Sequence, residues 1–286
     1  MLSTPRLARM ATKIARAGLD RGRAMRYGIH SLALALLAWA MSSAAGPALG
    51  GSGAAAQAIP KPVTAGKCWA VARLKYGGGG DWYAGPSMLV NLSKRMRSDL
   101  GLPACAEERQ VALLDGNLYE FPILFMTGHG NVAFSEEERK ALREYLLRGG
   151  LLFADDNYGL DTSFRREMKL LLPNHPLMAL DSRQPVFSSH WKFPQGLPKI
   201  HEHDGKRATA YAIAVEGRGV VFYSYESDLG NGWEDHEVYN DPLESHEAAL
   251  RMGVNVVAWF LQGAPVDGVP GSATPPGGTA RPGPGT

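Results

Sequence analysis

The chain has 286 residues, 45% hydrophobic and 20% charged, which suits one or two globular domains and excludes a wholly disordered chain. The formal net charge of +2 is unevenly spread: residues 1–28 carry seven Arg and Lys against one acid, and 29–58 carry no charged side chain. The remainder from Ile59 holds 23 basic and 27 acidic residues. A basic nucleic-acid-binding face is therefore not supported for the body of the protein.

In chain order, Arg21, Arg23 and Arg26 precede an apolar stretch from Ile29 to about Ala45, and Ala56-Gln57-Ala58 fits a small-x-small cleavage site. This is the layout of a secretory signal, and Met25 offers an alternative start that gives a short basic leader. Residues 1–58 are expected to be signal and cleavage region, and 59–66 a linker. The domain then works in the periplasm or outside the cell; an uncleaved apolar core would instead anchor it. In an oxidising compartment Cys68 and Cys105 can pair, and otherwise they are two buried thiols. No CxxC occurs, which excludes a thioredoxin-type or zinc-ribbon site. The Pro/Gly-rich stretch 263–286 reads as a disordered tail, leaving a domain over 67–262.

Within it, strands are expected at 69–76, 110–114, 123–127 and 151–154. Helices are expected from about Pro86, from the capping box Ser135-Glu-Glu-Glu138, and from Asp161. Three further strands, 197–203, 208–215 and 220–225, read as an antiparallel meander, and a last helix starts at Asp241-Pro242. The sum is a three-layer α/β domain with a mostly parallel sheet. Ligands in such sheets bind at the strands' carboxyl ends, here the loops 76–83, 128–131 and 155–161.

Five segments carry candidate chemistry. Gly78, Gly79 and Gly80 with Asp81, Trp82 and Tyr83 form a glycine loop whose spacing matches neither a P-loop nor GxGxxG; its aromatics and carboxylate suit a sugar or peptide. His129, between two glycines after a strand, is placed for acid–base work beside amides that can meet an oxyanion. Asp155 and Asp156 after the fourth strand can share a proton or bind a hard cation, or cap a local turn. His201 and His203 share a face if their segment is a strand, a presentation suited to a divalent metal, with His190, His129, Glu226 or Asp228 as a third ligand. Glu226 and Asp228 open an acidic, aromatic-punctuated segment to Asp241 that can bind a cation or close as a lid. No GxSxG or HExxH occurs, and neither cysteine sits at a strand-to-helix elbow.

Several runs together, Arg73-Leu-Lys-Tyr-Gly-Gly-Gly-Gly-Asp-Trp-Tyr83, Phe125-Met-Thr-Gly-His-Gly130, Leu147-Leu-Arg-Gly-Gly-Leu-Leu-Phe-Ala-Asp-Asp156, Phe164-Arg-Arg-Glu-Met168, Pro198-Lys-Ile-His-Glu-His203 and Tyr223-Ser-Tyr-Glu-Ser-Asp-Leu-Gly230, resemble the bacterial domain-of-unknown-function family numbered 4159. The resemblance implies a flavodoxin-like fold similar to class I glutamine amidotransferases, without their reaction, because the places comparable to the nucleophilic cysteine hold Gly128-His129 and Asp155-Asp156. It implies no established activity or cofactor. Three expectations follow. The first is an exported domain binding a sugar or peptidoglycan fragment, with Trp82, Tyr83 and Trp233 as aromatic faces. The second is a metal-assisted hydrolase, with His201 and His203 on the metal and Asp155 or Asp156 as base. The third is an envelope-assembly protein whose partners are envelope or membrane-associated proteins.

Overall fold

A computed structural model describes residues 68–269; the expected signal, linker and most of the tail lie outside the described residues. Short, largely buried runs build five parallel strands: β1 (Val71–Lys75), β2 (Arg109–Ala112), β3 (Ile123–Met126), β4 (Leu151–Asp155) and, after an antiparallel pair β5 (Met178–Ala179) and β6 (Thr209–Val215), β7 (Arg218–Tyr225). The sheet order is β2-β1-β3-β4-β7-β6-β5. β7 lies parallel to β4, and β6 runs antiparallel to both its neighbours, β7 and β5. The order of the five parallel strands is that of a doubly wound flavodoxin-type sheet, with its switch point between β1 and β3.

The pleat sends alternate residues to two cores. Ile123, Phe125 and Phe153 meet α1 (Met88–Leu100) and the final helix α5 (Leu243–Leu261). Leu124, Met126 and Leu152 meet α2 (Glu136–Leu147) and α3 (Asp161–Leu171). A short α4 (His236–Tyr239) precedes α5. The predicted capping box is present: Ser135 Oγ accepts from the Glu138 N–H, and the Glu138 carboxylate accepts from the Ser135 N–H. Asp161 is the first residue of α3 and not its side-chain cap; its carboxylate accepts from Arg165 and from the Tyr223 hydroxyl.

Three expectations are corrected. Residues 197–203 are not a strand: Pro198 removes a backbone donor, and Ile200 N–H donates to Ser227 O and Ser227 Oγ to Pro198 O instead. The third antiparallel strand is the two-residue β5. The ordered chain also continues past 262: Gly219 N–H donates to Ala264 O and Val266 N–H to Gly217 O, and Ala264 and Val266 are buried. Cys68 and Cys105 form a disulfide, so neither is a free thiol. Among the described residues, no helix is long and apolar enough to cross a membrane.

Candidate functional site

All five predicted segments lie at the carboxyl end of the parallel strands. The loops after β1, β3, β4 and β7 emerge there, and antiparallel β6 begins there, with Thr209 opposite Tyr225.

Over β1 and β3 the glycine loop zips onto the β3 loop. Gly80 N–H donates to Asn131 O, Asp81 N–H to His129 O, and Ala133 N–H to Gly77 O. Gly78 has φ +105°, and a Cβ there would stand 2.5 Å from Ala133 N, so only glycine allows this approach. These hydrogen bonds occupy the amides of Gly80 and Asp81, which removes them from any anion. Buried Arg73 holds the far side of the loop, donating to the carbonyls of Ala84 and Gly85 and to Glu108. Asp81 accepts from the His129 backbone N–H and lies 2.9 Å from His129 Nδ1, leaving Nε2 toward solvent. Partial burial pulls the Asp81 carboxyl up, but the His129 hydrogen bonds and charge outweigh it and leave it below its ordinary value. Burial, then the Asp81 charge, pushes the neighbouring Tyr76 phenol up. Tyr83 is exposed, whereas Trp82 is half-buried against it.

Over β4 and β7 the acids are buried. Asp155 is a hub: Oδ1 accepts from Ser224 Oγ (2.5 Å) and Leu229 N–H (3.2 Å), and Oδ2 from Gly230 N–H (2.8 Å). Burial pushes its carboxyl up to about 7, with the charges of Asp228 and Asp156 adding to the shift and the hydrogen bonds opposing it. Asp156 accepts from Leu160 N–H, the local turn role; burial lifts it to about 6. His201 and His203 do meet, though not as neighbours on a strand face. Both rings point a nitrogen at one oxygen of fully buried Asp228, Nδ1 of His201 at 3.1 Å and Nε2 of His203 at 2.6 Å from Oδ2. The other nitrogen of His201 lies 3.0 Å from Asp241. The Asp228 hydrogen bond, opposed by burial and helped by Asp241, holds the His201 imidazole above its ordinary value. Tyr158 stacks on His203 and Tyr239 packs edgewise on His201.

Tyr158, Glu226 and Asp228 have φ values of 73°, 57° and 61°, the left-handed region that non-glycine residues rarely adopt. Such strain concentrates at sites where geometry is fixed for a task. Buried Glu226 is neutralised by Lys199 and Lys206. Glu234 caps α1, accepting from the N–H groups of Ser87 and Met88, and Trp233 is fully buried with its indole N–H on Ala249 O. Residues 226–234 after β7 are thus packed structure, so Trp233 offers no face to a ligand, whereas 235–240 are mostly exposed. His190 packs on Trp191, whose backbone is tied to Asn255 of α5, and takes no part in the cluster.

Among the described residues, no three His, Cys, Asp or Glu side chains are arranged to hold a metal ion. Among the described residues, five buried side-chain polar atoms make no hydrogen bond: Trp69 Nε1, and four oxygens, Thr127 Oγ1, Asn157 Oδ1, Asp228 Oδ1 and Asn231 Oδ1. All four oxygens belong to the loops after β3, β4 and β7. Buried polar groups are nearly always paired, so their concentration at one end makes that end the candidate site. Sequence reasoning passed over Thr127, Asn157 and Asn231; their one signal was a neutral polar residue shortly after a buried strand. A separate cleft of about 410 Å³ lies between α1 and α5, lined by Asn91, Lys94, Arg95, Ser98, Asp235, His236, His246 and Leu250.

The sequence model of the family described as a domain of unknown function, DUF4159, matches residues 70–261, and the chain belongs to that family. No curated protein matches it.

Proposed function

We propose that this member of the family binds a hydroxyl-rich ligand of the cell envelope, a sugar or peptidoglycan fragment, at the carboxyl ends of β3, β4 and β7. The observation that carries this reading is the set of unpartnered buried oxygens there. Asp228 Oδ1 and the amide oxygens of Asn157 and Asn231 only accept hydrogen bonds, so the complementary ligand is one that donates them. Tyr158 and Tyr239, 46% and 45% exposed, stand beside His203 and His201 as faces for a sugar ring. Placement outside the cytoplasm draws support from the Cys68–Cys105 disulfide and from the leader pattern. The strand order fits a class I glutamine amidotransferase-like architecture, as a binding scaffold: both cysteines are in the disulfide, and Thr127-Gly128-His129 follows the central strand. The test is calorimetric titration of the purified protein with muropeptides and soluble envelope oligosaccharides. Binding that disappears in Tyr158→Ala/Tyr239→Ala upholds the reading; no heat from any sugar or muropeptide overturns it.

A metal-assisted hydrolase is the second reading, favoured by the approach of His201 and His203 to one Asp228 oxygen. In it, the two rings and Asp228 hold the ion, and Asp155 or Asp156 takes a proton from water. The direct nitrogen–oxygen hydrogen bonds weigh against it, because these groups already satisfy one another. Elemental analysis of protein purified without chelator decides it: about one zinc or manganese per chain, lost in His201→Ala/His203→Ala, supports it, and its absence refutes it.

A further inference from the structure

The four residues that bear unpartnered oxygens all neighbour Asp155. Thr127 directly follows Met126, the last residue of β3, which pairs with Ala154 next to Asp155. Asn157 is two residues past Asp155. Asp228 precedes Leu229 and Asn231 follows Gly230, the two residues whose N–H groups bind the Asp155 carboxylate. Three carboxylates, Asp155, Asp156 and Asp228, lie here at 0%, 3% and 0% exposure, and the Asp155 carboxyl feels the charges of the other two. Among the described residues the side-chain contacts to Asp228 are the two histidine rings, and both fall on Oδ2 while Oδ1 has no hydrogen-bond partner.

We propose that a hard divalent cation of the calcium class binds at the carboxyl end of β4 through oxygen donors led by Asp228 Oδ1 with the amide oxygens of Asn157 and Asn231, and that this ion presents the hydroxyl ligand. The second half of the statement rests on the function proposed above; the ion site stands on the unpartnered buried oxygens of residues that neighbour Asp155. Oxygen donors exclude a soft metal, and the ring nitrogens that a zinc ion needs face carboxylates. Calcium tolerates a mixed, irregular set of carboxylate and amide oxygens, whereas magnesium demands a near-ideal octahedron. Few formal charges and neutral amide donors place the affinity with that of extracellular calcium modules, a Kd on the order of 0.1–1 mM.

The experiment is calorimetric titration of chelator-treated protein with calcium chloride, then magnesium and zinc, with far-UV circular dichroism to verify folding. The expected result is calcium binding in that range, weakened about tenfold or more in Asp228→Asn and, separately, in Asn231→Ala. Asp181→Asn, an exposed acid paired with Arg183 far from the cluster in sequence, leaves it unchanged. The inference is overturned by no calcium binding to folded protein up to about 10 mM. It is equally overturned by calcium binding that both site variants retain, or by zinc binding alone that His201→Ala/His203→Ala abolishes. Muropeptide binding that persists without calcium in chelator keeps the ligand reading and overturns the ion's role; calcium binding without any sugar binding keeps the ion site and overturns the ligand reading.

Discussion

The Asp155 hub makes the stability of this domain fall as pH rises, an unusual direction for a carboxyl. In the unfolded chain this group titrates near the ordinary 3.8, and in the fold burial pushes it up to about 7. Because the folded value is the higher one, the protonated form favours folding. The contribution is complete below about pH 4 and is lost as pH rises through 7. Proton linkage for that single group gives a loss of about 2–3 kcal/mol between pH 5 and pH 8. Asp156 and His201, both raised, push the same way across the window. The lowered carboxyls of Asp81, Asp99 and Glu247 act below it and leave it flat. Urea denaturation followed by tryptophan fluorescence at the two pH values measures the slope. Asp155→Asn, the neutral isostere of the protonated acid, removes most of it. Equal wild-type stability at both pH values, or a full slope persisting in the variant, refutes the reasoning.

Two further outcomes follow from the frame of the site. Cys68→Ser/Cys105→Ser opens a loop with a sequence separation of 37 residues; the chain-entropy relation gives a loss of about 4 kcal/mol, read as a lower urea midpoint. Gly128→Ala places a Cβ 2.7 Å from the Tyr76 hydroxyl and 2.8 Å from Asp81 Oδ1, at φ +129°. Its cost is about 1–3 kcal/mol, and the His129 ring resonances shift in NMR as the Asp81 contact breaks; unchanged resonances contradict the assigned pairing.

Much of the scaffold was legible because its determinants are local. The continuous apolar runs at Ile123–Met126 and Leu151–Ala154 announce central parallel strands, and Ser135 with Glu138 announces a helix start. What failed was non-local. The two-residue β5 exists because β6 offers it an edge, and nothing in Met178-Ala179 says so. Trp233 looked like a binding aromatic but fills the core between Phe125 and Phe153, a partnership set by how α5 packs. Glu234 read as one acid among many, yet it caps a helix that begins 146 residues earlier in the chain. His201 and His203 were paired by strand periodicity; they converge instead because a left-handed turn at Asp228 delivers its carboxylate between them.

The two centres at this end differ in chemistry because they differ in access to water. Asp81 and His129 sit over the β1–β3 switch point, and their side chains are 35% and 53% exposed, so water and an entering ligand reach them. Asp155 and Asp228 sit over β4 and β7 with no exposure, where an unneutralised charge is expensive and a bound donor or cation lowers the energy most. Adjacent strands are about 4.8 Å apart, so the gap between β1 and β3 lies roughly 10 Å from the gap between β4 and β7. On the proposed reading, a single ring fills the buried centre under Tyr158 and Tyr239, and only an extended oligomer also reaches the imidazole of His129.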